Sequence, residues 1–409
     1  MPQGFFYLIG AQFFSALADN ALLILGIHHL QEQGYPGWWA PLLKFSFTLA
    51  YVVLASATGP VSDAFPKTRL MAWMNFTKMI GVLLLLYGTH PVLAFSLVGA
   101  AAAIYAPCKY GLVTECIPPH LLVRANAWLE VAIVMSVILG TATGGALVAW
   151  SRLQEGLDLG AGSSSISRTV LAFAFVLLLY GLAAVLNNRI HFKNTYPVKV
   201  PLTWTALSWN QFWKTHLQLW NDPLGRISLY VTTLYWGVGA VLQFGVLIWA
   251  ERSLGLTLQH GALLQALVAV GVIVGAVYTG QRYKLHAARR ILPAGMVLAL
   301  LLPLVALTQS LWLAIPLLLA VGATGGMLLV PMNALLQHRG YKVLTAGRSI
   351  AVQGFNENFS VLVMLGLYSM LLYAQWSIFS IMALFSLILL VGMTPVWLPI
   401  FNRKNVQRK

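Results

Sequence analysis

Charged residues are scarce in this chain, and acidic residues are the scarcest. Of 409 residues only 9% are Asp, Glu, Lys or Arg, and Asp and Glu together number 10. Soluble domains carry about 25% charged residues. A soluble fold with 59% hydrophobic residues would leave too much apolar surface in water. The composition therefore excludes an ordinary soluble domain and favours a membrane protein.

The sequence also lacks the motifs of several protein classes. Its two cysteines, Cys108 and Cys116, are too few for a disulfide framework, and we interpret both as free thiols. No G-x-x-x-x-G-K-[ST] phosphate loop, H-x-x-x-x-D acyltransferase pair or G-x-S-x-G elbow occurs. We therefore predict a protein that is not an enzyme and that needs no cofactor and no metal. Its work would depend on gradients, on the membrane potential or on consumption of the product.

Long apolar segments dominate what is present. Blocks of roughly 20 apolar residues recur, each long enough to cross a ~30 Å hydrocarbon layer as a helix. Strands are excluded because an open sheet leaves backbone groups unpaired in lipid. The predicted fold class is an all-α polytopic membrane protein with twelve transmembrane helices. We place the spans at about 4–30, 41–60, 70–89, 91–113, 123–150, 168–189, 226–250, 259–280, 290–308, 311–335, 346–373 and 377–400.

Basic residues, which give the chain a formal net charge of +15, are concentrated on one side of these spans. They follow the even-numbered spans and fill the C-terminal tail, whereas the opposite loops carry few of them. By the positive-inside rule, both termini face the cytoplasm. Because the basic residues lie in the loops between membrane spans and form no separate basic patch, we expect no nucleic-acid partner.

The longest hydrophilic stretch, residues 187–226, divides the chain into two sets of six spans. Its tryptophans, mixed with Lys and His, are typical of a segment lying along a membrane interface. Segments in the two halves also correspond, since 105–115 ends the fourth span and 329–339 ends the tenth. We predict an N-terminal six-helix bundle (1–190), a cytoplasmic linker (191–225), a C-terminal six-helix bundle (226–402) and a basic cytoplasmic tail (403–409).

The segment "GPVSDAFPKTRL" (59–70) links spans two and three. It resembles the G-x-x-x-D-x-x-G-R-[KR] loop signature of the major facilitator superfamily, and departs from it at Pro66, where the second glycine is usual. Asp63 can accept hydrogen bonds from a neighbouring helix N-terminus, whose partial positive charge favours an anion. The alternative is a solvated turn with ordinary inside-positive charge. The predicted gating loop comprises Gly59, Asp63 and Arg69, with Arg124 at the start of span five as a second partner.

Five further segments carry a narrower resemblance: "AQFFSALADNALL", "YAPCKYGLVTE", "RANAWLE", "VPMNALLQHRG" and "IAVQGFNEN". They resemble the corresponding segments of the bacterial lysophospholipid transporter family, a branch of that superfamily. The resemblance implies inward flipping of lysophospholipids, chiefly lysophosphatidylethanolamine, across the bacterial inner membrane. It also implies reacylation of the product by a partner acyltransferase–acyl carrier protein synthetase. The chain departs from the family at Gln243, where a basic residue is expected, and we expect no fused acyltransferase.

Polar groups inside the apolar spans form the candidate site. An ionisable residue at such depth costs about 2.5–3.5 kcal/mol on insertion scales, so it usually faces a cavity or a partner. Asp19 lies about 22 Å along its helix, at 1.5 Å per residue, which is past the midplane. The predicted substrate-binding or coupling-ion-binding residues are Asp19, Asn20, Lys78, Glu130, Asn333, Gln353, Asn356, Glu357 and Asn358.

Each of these residues also has a simpler interpretation. The acids can form interhelical salt bridges or hydrogen bonds that fix helix register. Lys78 either contacts a phosphate or snorkels to the interface. We interpret His28 and His29, near the outer end of span one, as interfacial residues rather than metal ligands, because no third ligand is placed with them.

The predicted function is lipid transport by alternating access, with Asp19, Glu357 and neighbouring amides meeting the head group of a lysolipid. A proton-coupled exporter of amphipathic drugs has the same fold and buried acids, and would show substrate-driven proton movement. A membrane-embedded lipid-modifying enzyme would show turnover in detergent, and the missing motifs argue against it.

Overall fold

The computed structural model describes residues 1–35, 39–152, 168–192 and 201–406. Across these ranges the regular structure is helical, with no strand, which confirms the predicted all-α fold class. Two 3₁₀-helices, Pro119–Leu121 and Leu285–Ile291, lie before α6 and α11. The α-helices are α1 (Gln3–Glu32), α2 (Trp39–Val53), α3 (Ala55–Ala64), α4 (Lys67–Leu86), α5 (Pro91–Cys116), α6 (Leu122–Arg152), α7 (Arg168–Asn188), α8 (Trp209–Asn221), α9 (Pro223–Leu254), α10 (Leu258–Arg282), α11 (Pro293–Leu307), α12 (Leu311–Val343), α13 (Ala346–Tyr373) and α14 (Ile378–Val406).

Eleven described helices are long and apolar enough to cross a membrane, and α2 with α3 makes a twelfth span if the bent pair counts as one. The two helices meet at an angle of 66°. The sequence predicts one span at 41–60, whereas the structure breaks it at Leu54 and continues it to Ala64. Hydropathy gives no sign of such a bend because both pieces are apolar. Pro60, inside α3, cannot donate a helical hydrogen bond.

The first compact unit, called unit 1, comprises Met1–Cys116, Met135–Phe212 and Ala346–Gly354. Its apolar core joins α1, α2, α4, α5 and α7, and it encloses Phe173 and Tyr180 of α7. Because lipid tails are as apolar as these side chains, packing and interhelical polar contacts hold such a core together.

The second compact unit, called unit 2, comprises Ile117–Val134, Trp213–Thr345 and Phe355–Lys409. Its apolar core draws on α9, α11, α12 and α14 and encloses Trp249 and Phe385. Helix α6 therefore contributes its first residues to unit 2 and the rest to unit 1.

Helices α10 and α12 of unit 2 approach each other more closely than side chains would allow. A Cβ atom added to Gly275 of α10 would collide with the carbonyl oxygen of Ala323 of α12. The relation is reciprocal, since a Cβ on Gly322 of α12 would collide with the carbonyl oxygen of Val268. Small residues at such positions let helix backbones touch in a membrane.

Part of the predicted linker, residues 193–200, and the end of the predicted tail, 407–409, lie outside the described residues. The described part of the linker forms α8, which has a buried face around Leu219 and an exposed face with Trp209 and Trp213. This two-faced character is typical of a helix lying along a membrane interface. The predicted bundle boundaries along the chain stay a prediction.

Candidate functional site

Asp19 of α1 is joined to Lys78 of α4 inside unit 1. The ammonium nitrogen Nζ of Lys78 lies 2.9 Å from Oδ1 and 2.8 Å from Oδ2 of Asp19. The hydroxyl of Tyr180, on α7, donates a third hydrogen bond of 2.7 Å to Oδ1. Side chains from α4 and α7 therefore hold the carboxylate of α1 inside unit 1, where a charge without a partner would be expensive.

Lys78 is bound by polar and aromatic groups on its other sides. Its Nζ donates a 3.1 Å hydrogen bond to the hydroxyl of Ser15, which in turn donates to Oδ1 of Asn75 over 2.8 Å. The same nitrogen lies 5.4 Å from the ring centre of Tyr105 and 5.5 Å from that of Tyr180. Ring faces attract cations at such distances. Besides Asp19, the ammonium of Lys78 therefore has one hydroxyl and two aromatic rings as partners.

The two members of the ion pair differ in their access to the surroundings. The side chain of Asp19 is 19% exposed, whereas that of Lys78 is 2% exposed. The interpretation of Lys78 as a snorkelling residue is therefore wrong, because a partner inside unit 1 holds its ammonium. A ligand that reaches this pair meets the carboxylate first.

Asn20, the neighbour of Asp19, turns its amide to its own helix. Its Nδ2 donates a 2.8 Å hydrogen bond to the carbonyl oxygen of Ala16. The side chain is half-buried, and its Cβ lies where a Cβ on Gly140 of α6 would come within 2.9 Å. In unit 1, Asn20 therefore stands at a close contact between α1 and α6.

The predicted gating loop forms a second polar cluster in unit 1. Oδ1 of Asp63 accepts a 2.9 Å hydrogen bond from the backbone N–H of Gly347, in the first turn of α13. This is the contact with a helix N-terminus that the sequence predicts for Asp63. A Cβ on Gly59 would lie 2.8 Å from Cα of Arg348, so this glycine permits the close approach. The gating role of these residues stays a prediction.

Lys67 and Glu115 complete this cluster, although neither is among the predicted gating residues. Nζ of Lys67 lies 2.8 Å from Oε1 of Glu115 and 3.6 Å from Oδ1 of Asp63. Lys67 is the residue that follows Pro66, where the signature departs from its usual form. Arg69, in contrast, is exposed.

Six of the predicted site residues lie in unit 2. Glu130 and Asn333 are buried, the stretch 356–358 is half-buried, and Arg124 is exposed. Gln353 of the same helix, α13, is buried and lies in unit 1. The six residues are Arg124, Glu130, Asn333, Asn356, Glu357 and Asn358.

Asn356 has a partner on the linker helix. Nε2 of His216, on α8, lies 3.3 Å from Oδ1 of Asn356, and the indole N–H of Trp220 donates to the same ring nitrogen over 3.2 Å. Burial lowers the pKa of His216 below its ordinary value, and the bond to Asn356 opposes this only in part. The same ring nitrogen cannot donate to Oδ1 of Asn356 and accept from the indole at once, so the tautomer of His216 determines which of the two hydrogen bonds forms.

A pair of amides that the sequence analysis missed ties α6 to α12 in unit 2. Asn126 and Gln337 are buried, and each donates its amide N–H to the other's oxygen over 2.8 Å. They lie in "RANAWLE" and "VPMNALLQHRG", two of the segments that carry the family resemblance. Polar residues within apolar segments were the only available signal, and it does not say which residues pair.

No group of three His, Cys, Asp or Glu side chains suited to a metal ion is found where the structure describes the chain. The polar clusters instead combine carboxylates, ammonium groups, amides and hydroxyls. Such groups bind ions and polar head groups by charge and hydrogen bonding.

Comparison with known proteins gives matches over most of the chain. The Major Facilitator Superfamily profile matches residues 8–354. A lysophospholipid transporter, LplT, of Serratia proteamaculans is 36% identical over 369 residues, which is 88% of this chain and 87% of that protein. The lysophospholipid transporter LplT of Shigella flexneri is 34% identical over 398 residues, covering 97% and 96% of the two chains.

Solved structures with the same fold are more distant in sequence. The transporter FucP in its outward conformation aligns with a TM-score of 0.74 at 15% identity, over 96% of this chain and 98% of FucP. The human organic anion transporter MFSD10 aligns with a TM-score of 0.77 at 15% identity, over 97% and 100%. At these identities the likeness shows the fold alone.

Proposed function

We propose, because the chain belongs to the major facilitator superfamily and to its lysophospholipid transporter family, that it carries lysophospholipids across the bacterial inner membrane. The substrate would be chiefly lysophosphatidylethanolamine, moved by alternating access from the outer to the inner leaflet. Both termini would face the cytoplasm, in keeping with the basic loops. A cytoplasmic acyltransferase–acyl carrier protein synthetase would then reacylate the product.

The observation that carries the proposal is the ion pair between Asp19 and Lys78. Lysophosphatidylethanolamine has a zwitterionic head group, with one ammonium and one phosphate. Its ammonium would compete for the exposed side of Asp19, while Lys78, once displaced, would meet the phosphate. The pair between Asp19 and Lys78 would thus be replaced by two pairs, Asp19 with the ammonium and Lys78 with the phosphate. No charge would be left without a partner in a medium of low dielectric constant.

This exchange also supports a preference among head groups. Lysophosphatidylglycerol carries the phosphate but no ammonium, so it would leave Asp19 without a replacement cation. The carboxylate would then compete with the phosphate for Lys78. The predicted contacts from Glu357 and its neighbouring amides in α13 would act on the same substrate at another stage of its passage.

The experiment measures uptake of labelled lysophosphatidylethanolamine into spheroplasts. The double substitution Asp19→Asn with Lys78→Met removes both charges together, so neither is stranded. Uptake should fall at least about tenfold, which corresponds to ~1.4 kcal/mol of lost stabilisation. The matched control is Glu251→Gln with Arg252→Gln, which removes one acid and one base from the exposed end of α9.

The outcomes separate the roles of the pair. Loss of uptake for lysophosphatidylethanolamine alone would support direct contact with the ammonium. Equal loss for lysophosphatidylglycerol would support ion coupling or gating. Uptake of both lipids at the unmodified rate would make the pair structural and contradict the proposed site. Proton movement driven by amphipathic drugs, without lysolipid uptake, would favour the exporter.

A further inference from the structure

Basic side chains are concentrated where α10 is followed by α11, at one end of unit 2. They are Arg282, Lys284, Arg289 and Arg290. All four are exposed. No acidic residue occurs between Glu251 and Glu357, so α10, α11 and α12 supply no counter-charge. Like charges that repel one another destabilise a compact structure unless a partner of opposite charge offsets them.

A fifth basic residue, Arg124, joins these four from α6. A Cβ added to Gly280 of α10 would lie 3.6 Å from Cα of Arg124 and 2.5 Å from Cβ of Ala127, so the beginning of α6 packs against the end of α10. The 3₁₀-helix Pro119–Leu121, just before α6, also contacts the 3₁₀-helix Leu285–Ile291. Arg124 is exposed. The five residues, called the basic cluster, are therefore brought together by the fold as well as by the local sequence.

The side chains of the basic cluster form no hydrogen bond or ion pair with any other residue that the structure describes. The connection between α3 and α4 of unit 1, which corresponds to this one in the predicted repeat, is different. There Nζ of Lys67 lies 2.8 Å from Oε1 of Glu115 and 3.6 Å from Oδ1 of Asp63. Lys67 is thus matched inside the protein, whereas the basic cluster is available to a partner of negative charge.

The connection between α10 and α11 is too short to project from a membrane. The candidate spans are His260–Arg282 and Leu285–Leu307, so only Tyr283 and Lys284 lie between them. The other members of the cluster belong to the ends of the spans themselves. Lipid head groups surround the ends of every span, whereas a soluble protein docks most readily on a surface that projects into water. The position therefore favours a lipid as the partner.

Neighbouring side chains hold the cluster at the level of the head groups. Ile291 and Leu292 are 3% and 0% exposed, and they fix the 3₁₀-helix to the apolar core of unit 2. Tyr278 of α10 is 48% exposed, and its ring centre lies 6.2 Å from that of Tyr283. Tyrosines are enriched where a span meets the head groups. The basic side chains next to them can therefore reach lipid phosphates.

We propose that the basic cluster binds the head groups of anionic phospholipids in the leaflet that borders this end of unit 2. Its members are Arg124, Arg282, Lys284, Arg289 and Arg290. A guanidinium group matches the geometry of a phosphate with two parallel hydrogen bonds. A zwitterionic lipid has an ammonium or choline group beside its phosphate, so it brings no net charge to offset the cluster.

The test compares spin-labelled phosphatidylglycerol with spin-labelled phosphatidylcholine in phosphatidylcholine vesicles that contain the purified protein. Electron paramagnetic resonance separates lipid immobilised at the protein from mobile lipid. In low salt, phosphatidylglycerol should associate at least about twofold more strongly than phosphatidylcholine. Salt at about 1 M, which screens charges beyond ~3 Å, should remove most of this preference. Equal association of the two lipids in low salt would overturn the proposal.

A triple variant then assigns the preference to the cluster. It combines Lys284→Gln, Arg289→Gln and Arg290→Gln. The preference for phosphatidylglycerol should fall by at least about half, because three of the five charges are gone. An unchanged preference would contradict the proposal, and it would mean that the charges act only as an insertion signal or serve an acidic soluble protein.

The matched control removes three exposed basic residues from places beside or on α7, α8 and α12. It combines Arg189→Gln, Lys214→Gln and Lys342→Gln. This control should keep most of the preference, although its net charge equals that of the triple variant. Equal losses in the two variants would mean that net charge alone attracts the lipid, which would also overturn the proposal.

Two further comparisons keep the test decisive. If the triple variant does not fold, Arg289→Gln and Arg290→Gln are measured singly, and each should lower the preference in part. The double variant Arg289→Lys with Arg290→Lys keeps the charges and should keep most of the preference. No lysolipid enters these measurements, so their failure leaves the proposed function standing, and failure of lysolipid uptake leaves the lipid-binding surface standing.

Discussion

Units 1 and 2 join their helices in different ways. Unit 1 places a full ion pair between α1 and α4, with Tyr180 of α7 bonded to the carboxylate. Unit 2 brings α10 and α12 into backbone contact at glycines such as Gly275. Both solve the same problem, because apolar side chains gain little by leaving lipid for one another. Of these two contacts, only the ion pair of unit 1 has charges that could pair with a charged substrate instead of with each other.

Unit 2 also has polar contacts between its helices, and the one between α6 and α12 is neutral. The amides of Asn126 and Gln337 satisfy each other completely on their facing atoms. Such a pair fixes register and has no charge to give to a ligand. We infer that stability in unit 1 is sensitive to charge, whereas stability in unit 2 is sensitive to the size of side chains.

The largest effect should follow from breaking the ion pair on one side. Lys78→Met leaves Asp19 partly buried with no counter-charge, so the free energy of unfolding should fall by about 3–5 kcal/mol. The double variant with Asp19→Asn should recover most of this loss. Thermal unfolding in one detergent compares the three proteins. A single variant as stable as the unmodified chain would show that the charge is not held by this pair.

The corresponding change in unit 2 is Gly275→Ala. The added methyl must push α12 away at Ala323, and overpacking of this kind costs about 1–3 kcal/mol. Gly239→Ala on α9 is the matched control, because a Cβ there meets nothing within 4 Å. The control should be neutral or stabilising, since alanine favours helix over glycine. Equal Tm values for both variants would refute the size-sensitive interpretation of unit 2.

A smaller effect on stability, with a larger one on transport, is expected at the second charged cluster of unit 1. Asp63→Ala removes the acceptor for the N–H of Gly347 and should lower the free energy of unfolding by about 1 kcal/mol. Lysolipid uptake should fall about tenfold if the contact acts as a latch. Arg69→Gln, in the same loop but exposed, should alter neither quantity much. Unmodified uptake in Asp63→Ala would favour the solvated-turn interpretation.

The smallest effect concerns the ion pair between Asp222 and Arg339 in unit 2. Arg339 hydrogen-bonds Asp222, the N-cap of α9, and this bond, together with the N–H of Gly225, lowers the pKa of Asp222. A carboxyl with a lowered pKa contributes stability above its unfolded pKa, near pH 4, and loses it as the pH falls through the folded value. Because the Arg339 side chain is 29% exposed and solvent screens its charge, the contribution of the pair should not exceed about 1 kcal/mol.

The variant Asp222→Asn tests this contribution of the ion pair, because asparagine can still cap the N-terminus of α9 but carries no charge. The Tm of this variant should be slightly lower than that of the unmodified protein at pH 7, and the two should converge toward pH 3. A constant difference across that range would mean that the cap, and not the ion pair, determines the effect.

Much of the fold was predictable because one physical length governs it. A span must cross the hydrocarbon layer, so runs of apolar residues predict helices such as α7 and α13 to within a residue or two. The bend at Leu54 was not predicted, because α2 and α3 together are apolar enough to be taken for one straight span. The contact of Asp63 with a helix N-terminus was predictable from its motif, although Lys67 as its companion was not.

The partner of Asp19 illustrates the limit for the site. The cost of a buried carboxylate implies that a partner exists, but the partner lies 59 residues away on another helix. Several basic and polar residues were compatible with that requirement, and only the packing of α1 against its neighbours selects Lys78. This matters for the variants, because Asp19→Asn alone leaves the charge of Lys78 without its partner, a cost that no pattern in the sequence predicts.

The glycine contact in unit 2 also has a mechanical consequence. Where the backbones of α10 and α12 touch at Gly275 and Gly322, no side chain lies between them. No side chain at this contact can change its rotamer to let the two backbones shift, so the helices resist sliding along each other. In any conformational change of unit 2, α10 and α12 should therefore move together as one rigid body.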